Sequence, residues 1–139
     1  MRIEILDLLS SVEAGGVTEV VFSGGCGRAW AQWCGFEEPK VRALVDVEVD
    51  IPDGITSWAI ADGPAIVASG APGAPVRIRG VVEAADEDYV VAVRVGADVV
   101  LVEVADAAAS LLPELAGKPQ VGDSIEFTTP QIEVHPYSV

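Results

Sequence analysis

The chain has 139 residues, half of them hydrophobic, and its 22 Asp and Glu against 8 Lys and Arg give a formal net charge of −14. A surface this acidic repels nucleic acids and anionic membranes, so we expect neither as a partner and expect a basic protein instead. The apolar runs are far shorter than the roughly 18 residues of a membrane-spanning helix, and the length predicts a single domain over residues 1–139.

Short apolar runs separated by glycine, proline and aspartate predict an all-β, mostly antiparallel fold. The strongest pattern covers residues 41–51, where valines alternate with Asp46, Glu48 and Asp50, so that three carboxylates share one strand face. Asp106 is positioned to cap one short helix at residues 107–112. In chain order, we predict strands at residues 2–9, 17–23, 28–34, 41–51, 56–61, 65–69, 76–84, 89–95, 99–104, 124–128 and 131–135.

The Gly-Ala-Pro segment at residues 70–75 divides the predicted strands into two parts of one domain. The N-terminal strands occupy residues 1–69. In residues 76–135, three strands, a short helix and two strands follow one another in the order of an OB-fold, a Greek-key barrel. Gly80 lies in the first of these strands, where a bulge or a bend would fit. A β-sandwich accommodates the same number of strands and is the alternative.

The chain also resembles small uncharacterised bacterial β-barrel proteins in which N-terminal strands precede an OB-fold-like C-terminal half. The residues that carry this resemblance are Trp33-Cys34-Gly35 with Pro39, the acidic strand at residues 45–51, Arg79-Gly80-Val81-Val82, and Ile132-Glu133-Val134-His135-Pro136. The resemblance implies a bacterial origin and a barrel, and it brings no activity, cofactor or functional residue with it.

An aromatic cluster of Trp30, Trp33 and Phe36 follows a glycine-rich loop at residues 23–28. If these side chains are exposed, they form a binding patch for a protein partner, and if they are buried, they close one end of the barrel. The loop lacks the spacing of either nucleotide-binding motif, so we interpret it as a hairpin turn. We therefore take the interface candidates to be the three aromatic residues together with Asp46, Glu48 and Asp50.

Motifs for catalysis and metal binding are missing from the sequence. The only histidine is His135, and the sequence contains no recognisable Ser or Cys nucleophile motif with which it could form a catalytic triad. The spacing of Cys26 and Cys34 fits neither a redox nor a zinc motif, and whether the two thiols pair is open. The acidic turn at residues 86–88 lacks the pattern of a calcium loop. We expect no catalytic residue, no metal site and no cofactor.

These observations favour a cytoplasmic, non-enzymatic protein-binding module, since the N-terminus carries no signal-peptide pattern. We expect an inhibitor or immunity-type protein that neutralises a basic partner, because opposite charge accelerates association. The alternatives are a barrel that binds a small ligand or serves as a scaffold, and an enzyme that uses carboxylates with Cys26 or His135. A homodimer through a strand edge or the aromatic patch is also open.

Overall fold

The structure, a computed structural model, describes residues 1–11, 17–86, 89–110 and 119–137, and for residues 10, 11, 17 and 105–110 it describes the backbone. These residues form eleven strands and no helix. The strands are β1 Arg2–Ser11, β2 Val17–Gly24, β3 Gly27–Trp33, β4 Leu44–Asp50, β5 Ile55–Ile60, β6 Ile66–Ala68, β7 Val76–Ala85, β8 Val90–Val95, β9 Asp98–Ser110, β10 Ser124–Thr129 and β11 Glu133–Pro136.

The prediction of an all-β fold is confirmed, and each predicted strand overlaps an observed one. β4 is shorter than predicted at its start because Arg42 adopts a left-handed φ of 71°, which interrupts the extended backbone. The predicted helix is wrong at residues 107–110, which belong to β9, whereas residues 111–112 lie outside the described part of the chain. Pairing of β9 with β5, which reaches Ala109 and Ser110, outweighs the helix propensity of alanine here.

Five strands form a closed barrel in the order β1-β2-β3-β11-β4, which we call the first ring. Consecutive strands β1, β2 and β3 pair as antiparallel neighbours. β4 returns to pair with β1, and β11 closes the ring by lying parallel to β3 and antiparallel to β4. This is a five-stranded Greek-key barrel of the OB type, so a closed barrel takes the place of the sandwich alternative.

The other six strands form a sheet in the order β10-β5-β9-β8-β7-β6, and an additional pairing of β10 with β7 joins five of them into a second ring. The second ring repeats the topology of the first, since β7, β8 and β9 form the meander, β10 returns to β7, and β5 lies parallel to β9. The two rings have exchanged their closing strands: β5, from the N-terminal part of the chain, closes the second ring, and β11, from the C-terminal part, closes the first. β11, which we assigned to the C-terminal barrel, closes the first ring instead.

Both rings contribute to one continuous cluster of buried apolar side chains. β6 bridges the two rings. It pairs with β7 of the second ring, and the N–H of Val67 donates to the carbonyl of Cys26 in the first ring. The N–H of Ser69, which follows β6, donates to the carbonyl of Arg28. Gly80 does not mark a bulge, since the register shift falls between Val82 and Ala84. A Cβ atom at Gly80 would lie 2.4 Å from the carbonyl oxygen of Arg94, so close strand packing explains this glycine. None of the described segments is a helix with the length and hydropathy that crossing a membrane requires.

Candidate functional site

The outer surface of the first ring carries a row of carboxylates, which we call the acidic face: Asp46, Glu48, Asp50 and Glu133. Val47 and Val49 of β4 point into the core, so the alternation of the strand directs Asp46, Glu48 and Asp50 outward, where all three are exposed. β11 extends the row because Glu133 pairs with Asp50 in the antiparallel register. The three β4 carboxylates point outward, as the alternation in the sequence predicts.

The predicted aromatic cluster is divided between the core and the surface. Trp30 is only 5% exposed, and its indole N–H donates to the carbonyl of Ala74 at 2.7 Å, so it presents no surface to a partner. Trp33 is half-buried at the end of β3, and Phe36 is fully exposed in the following loop. The interface candidates that remain at the surface are therefore Trp33, Phe36 and the three β4 carboxylates.

An open cleft of about 440 Å³ lies beside the acidic face, between the end of β3 and the loop at residues 34–39. The indole N–H of Trp33 donates to the carbonyl of Glu37 at 2.8 Å, which closes this loop on itself. Gly35 allows the loop to lie against β11, because a Cβ atom there would approach the Pro136 ring to 2.7 Å and the Trp33 nitrogen to 2.8 Å. The loop is thereby held against the last strand of the barrel.

Three potential metal ligands meet at this junction: the Cys34 thiol, a Glu133 carboxylate oxygen and a His135 nitrogen, all within 4.8 Å of one another. We call this group the Cys34 cluster. The N–H of Cys34 donates to the carbonyl of Val134 at 3.0 Å, which fixes the thiol beside β11. Glu133 and His135 are two residues apart on one strand, so their side chains leave the same face.

Asp50 borders the Cys34 cluster. His135 Nε2 lies 3.5 Å from Asp50 Oδ2 and 3.4 Å from Glu133 Oε1. Both distances exceed the usual range of N–H···O hydrogen bonds. Nε2 is shielded from solvent and has no hydrogen-bond partner in the described part of the chain. Two carboxylate oxygens therefore approach a nitrogen that neither of them satisfies.

The electrostatics of the Cys34 cluster disfavour a free thiolate. Partial burial, followed by the charges of Glu133 and Asp50, raises the pKa of the Cys34 thiol above its ordinary value. A raised pKa reduces the nucleophilic form at neutral pH, so the arrangement gives no support to a cysteine nucleophile. A bound cation would reverse this preference, because a coordinating thiol loses its proton.

Other candidate residues from the sequence lie apart from this site. Both cysteines are free, and the pKa of Cys26 is raised by burial and by Asp98. The glycine-rich segment forms the turn between β2 and β3, as predicted. Trp58, the third tryptophan of the chain, is not part of the aromatic cluster and is buried in the second ring. In the acidic turn, residues 87 and 88 lie outside the described part of the chain.

Sequence reasoning treated Cys34 and His135 separately and so missed the Cys34 cluster. Cys34 follows β3, whereas Glu133 and His135 lie on β11, and these two distant segments become neighbours because β11 is parallel to β3. The only local signal was the Glu-x-His spacing at residues 133–135, which places two potential ligands on one strand face.

Comparison with known proteins finds no matching protein family, no matching curated protein and no matching solved structure. The function of the chain has to be inferred from its own residues.

Proposed function

We propose that the protein is a non-enzymatic binding module of the bacterial cytoplasm that captures a basic protein partner, in the manner of an inhibitor or immunity protein. The observation that carries this proposal is the acidic face, where Glu48, Asp50 and Glu133 lie together and the nearest basic side chain in the part of the chain that the structure describes is the imidazole of His135. Within the described residues, no Lys or Arg nitrogen lies within ion-pair distance of these three carboxylates. An uncompensated row of like charge is suited to steering an oppositely charged partner.

The neighbouring loop supplies the apolar part of such an interface. Phe36 projects completely into solvent beside Trp33, and an exposed aromatic side chain next to a charged rim is a common anchor in protein interfaces. The carboxylates would accelerate the encounter, and Phe36 would slow dissociation once the partner is seated. This division of roles predicts different kinetic effects for the two groups.

The alternative of a ligand inside a barrel has less support. Ile3, Ile5, Val20 and Phe22 fill the interior of the first ring and are at most 1% exposed. Five-stranded barrels are narrow, and their interior is occupied by side chains.

The decisive experiment uses two variants with the same change in charge. Glu48→Gln with Asp50→Asn removes two carboxylates from the acidic face, and Asp62→Asn with Glu103→Gln removes two exposed carboxylates elsewhere. The wild-type chain is used to capture proteins from the native lysate. The captured protein is identified by mass spectrometry and purified, and its association rate is measured at about 0.05 M and 0.5 M salt with a chelator present.

We expect the partner to be basic and its association with the wild type to slow steeply in salt. The acidic-face variant should associate about tenfold more slowly at low salt, whereas the matched control should stay close to wild type. Phe36→Ala should mainly raise the dissociation rate. Equal slowing in the two charge variants, or a partner without positive charge, would contradict the proposal.

A further inference from the structure

We propose that the Cys34 cluster is a binding site for a divalent transition-metal ion, with Zn²⁺ as the preferred ligand. Cys34, Glu133 and His135 would bind the ion, and Asp50 would complete or border its coordination shell. The site shares Asp50 and Glu133 with the acidic face, but the argument for it does not rest on the proposed binding function.

The spacing of the ligand atoms fits a tetrahedral ion. Zinc bonds of about 2.0–2.3 Å place neighbouring ligand atoms about 3.3–3.6 Å apart. His135 Nε2 lies 3.4 Å from Glu133 Oε1 and 3.5 Å from Asp50 Oδ2, which matches two edges of such a tetrahedron. The thiol of Cys34 lies within 4.8 Å of a His135 ring nitrogen and of a Glu133 carboxylate oxygen. Its only hydrogen-bond contact in the described part of the chain is a long one of 4.0 Å to the carbonyl of Gln32.

The unsatisfied nitrogen of His135 is the second observation that points to a cation. Nε2 is shielded from solvent without a hydrogen bond, and two carboxylate oxygens converge on it. A buried polar atom without a partner is unfavourable, whereas a metal ion would accept the nitrogen lone pair and both carboxylates at once. The three negative charges of Glu133, Asp50 and a Cys34 thiolate would more than neutralise the two positive charges of the ion.

The mixture of donor atoms selects the class of metal. Ca²⁺ and Mg²⁺ prefer ligand sets made of oxygen alone, whereas sulfur, imidazole nitrogen and carboxylate oxygen together are typical of Zn²⁺ and its neighbours. The ligands come from the segment after β3 and from β11, with Asp50 at the end of β4. A bound ion would therefore fasten the closing strand of the first ring to both of its neighbours.

The experiment measures metal binding by the chelator-treated full-length protein. Isothermal titration with Zn²⁺ gives affinity and stoichiometry, and visible absorption with Co²⁺ reports a thiolate bond to the metal. Cys34→Ser and His135→Gln remove ligands from the cluster. Cys26→Ser is the matched control, because it removes the other thiol, which lies near Gly96 and outside the cluster.

We expect one Zn²⁺ per chain, a thiolate band with Co²⁺, and a higher melting temperature with Zn²⁺ than with chelator. Cys34→Ser and His135→Gln should each weaken binding by more than about tenfold, Asp50→Asn by about tenfold, and Cys26→Ser should leave it unchanged. The Co²⁺ band should disappear in Cys34→Ser and persist in Cys26→Ser. This comparison does not require that His135→Gln remains folded.

Three results would overturn the proposal: no Zn²⁺ binding by the wild type, the same affinity in wild type and Cys34→Ser, or displacement of Zn²⁺ by a modest excess of Mg²⁺. These measurements need no protein partner, and association with the partner is measured in chelator. Failure of the metal site therefore leaves the proposed binding function standing, and the reverse also holds.

Discussion

The two rings share one topology but treat their charged side chains differently. In the second ring, cations and carboxylates pair across neighbouring strands. Arg79 Nη2 lies 2.7 Å from Glu126 Oε1, and Arg94 Nη1 lies 3.1 Å from Glu83 Oε1. The described arginines of β7 and β8 are therefore each matched by a carboxylate on a neighbouring strand.

On the acidic face of the first ring, most carboxylates have no arginine or lysine partner in the described part of the chain. Its cross-strand ion pair between Arg2 and Asp46 lies at one end of the acidic face, and both side chains are more than half exposed. Glu48, Asp50 and Glu133 have no Lys or Arg within ion-pair distance in the described part of the chain. The two rings therefore differ in whether the charged side chains of neighbouring strands are matched by opposite charges.

The largest expected effect is on stability, and it shows whether the two rings unfold separately or together. Phe22 of the first ring and Phe127 of the second ring are both buried in the shared core. Because the rings have exchanged closing strands, we expect Phe22→Ala and Phe127→Ala to destabilise the whole chain by about 3–5 kcal/mol each. Denaturant unfolding followed by tryptophan fluorescence and by circular dichroism should show one common transition.

Phe36→Ala is the control for this test, since the exposed ring should change the free energy of unfolding by less than about 0.5 kcal/mol. Two separate transitions, with each core variant shifting one of them, would show that the rings are independent units despite the exchanged strands.

Individual strands were predictable from the sequence because alternation is a local property. Val47 and Val49 point inward and Glu48 points outward, as the period of two in residues 41–51 requires. The pairing of strands was less accessible, since it depends on contacts between distant segments. Nothing local in residues 131–135 distinguishes a strand that closes the C-terminal barrel from one that returns to β3 and β4.

The same limit explains which parts of the site were predicted. The carboxylates of β4 were found because they lie on one strand, but Cys34 and His135 become neighbours only through the parallel pairing of β3 with β11. The alanine-rich segment at residues 107–109 favoured a helix locally, and its inclusion in β9 depends on strand partners that local propensity does not contain.

A smaller effect tests the cross-strand ion pairs of the second ring. Arg79 and Glu126 are both mostly buried, and Arg79 donates to Glu126 from Nε at 3.1 Å and from Nη2 at 2.7 Å. Arg79→Met should reduce the free energy of unfolding by about 1 kcal/mol, because it leaves the Glu126 carboxylate with the longer contact to Arg77. Chemical denaturation measures the change.

Arg28→Met is the matched control for this effect, since the Arg28 side chain is exposed and forms no ion pair in the described structure. If both variants change stability equally, the loss reflects the overall charge and not the pairing, and the distinction between the two rings would weaken.

The smallest expected effect concerns the exposed Arg2–Asp46 pair, and its pH dependence has a defined sign. The hydrogen bond from Arg2 lowers the pKa of the Asp46 carboxyl in the folded chain. The resulting stabilisation is present above the ordinary carboxyl pKa and is lost as the pH falls through the lowered pKa of Asp46. Asp46→Asn should therefore lower the melting temperature slightly at neutral pH and have no effect in acid, whereas Asp62→Asn should lack this pattern.

Salt should diminish the difference, because both partners are solvent-exposed. A destabilisation that persists in acid would instead indicate that Asn disturbs β4 itself. A stabilisation at neutral pH would mean that repulsion along the acidic face outweighs the Arg2 pair, which would make the contrast with the second ring sharper still.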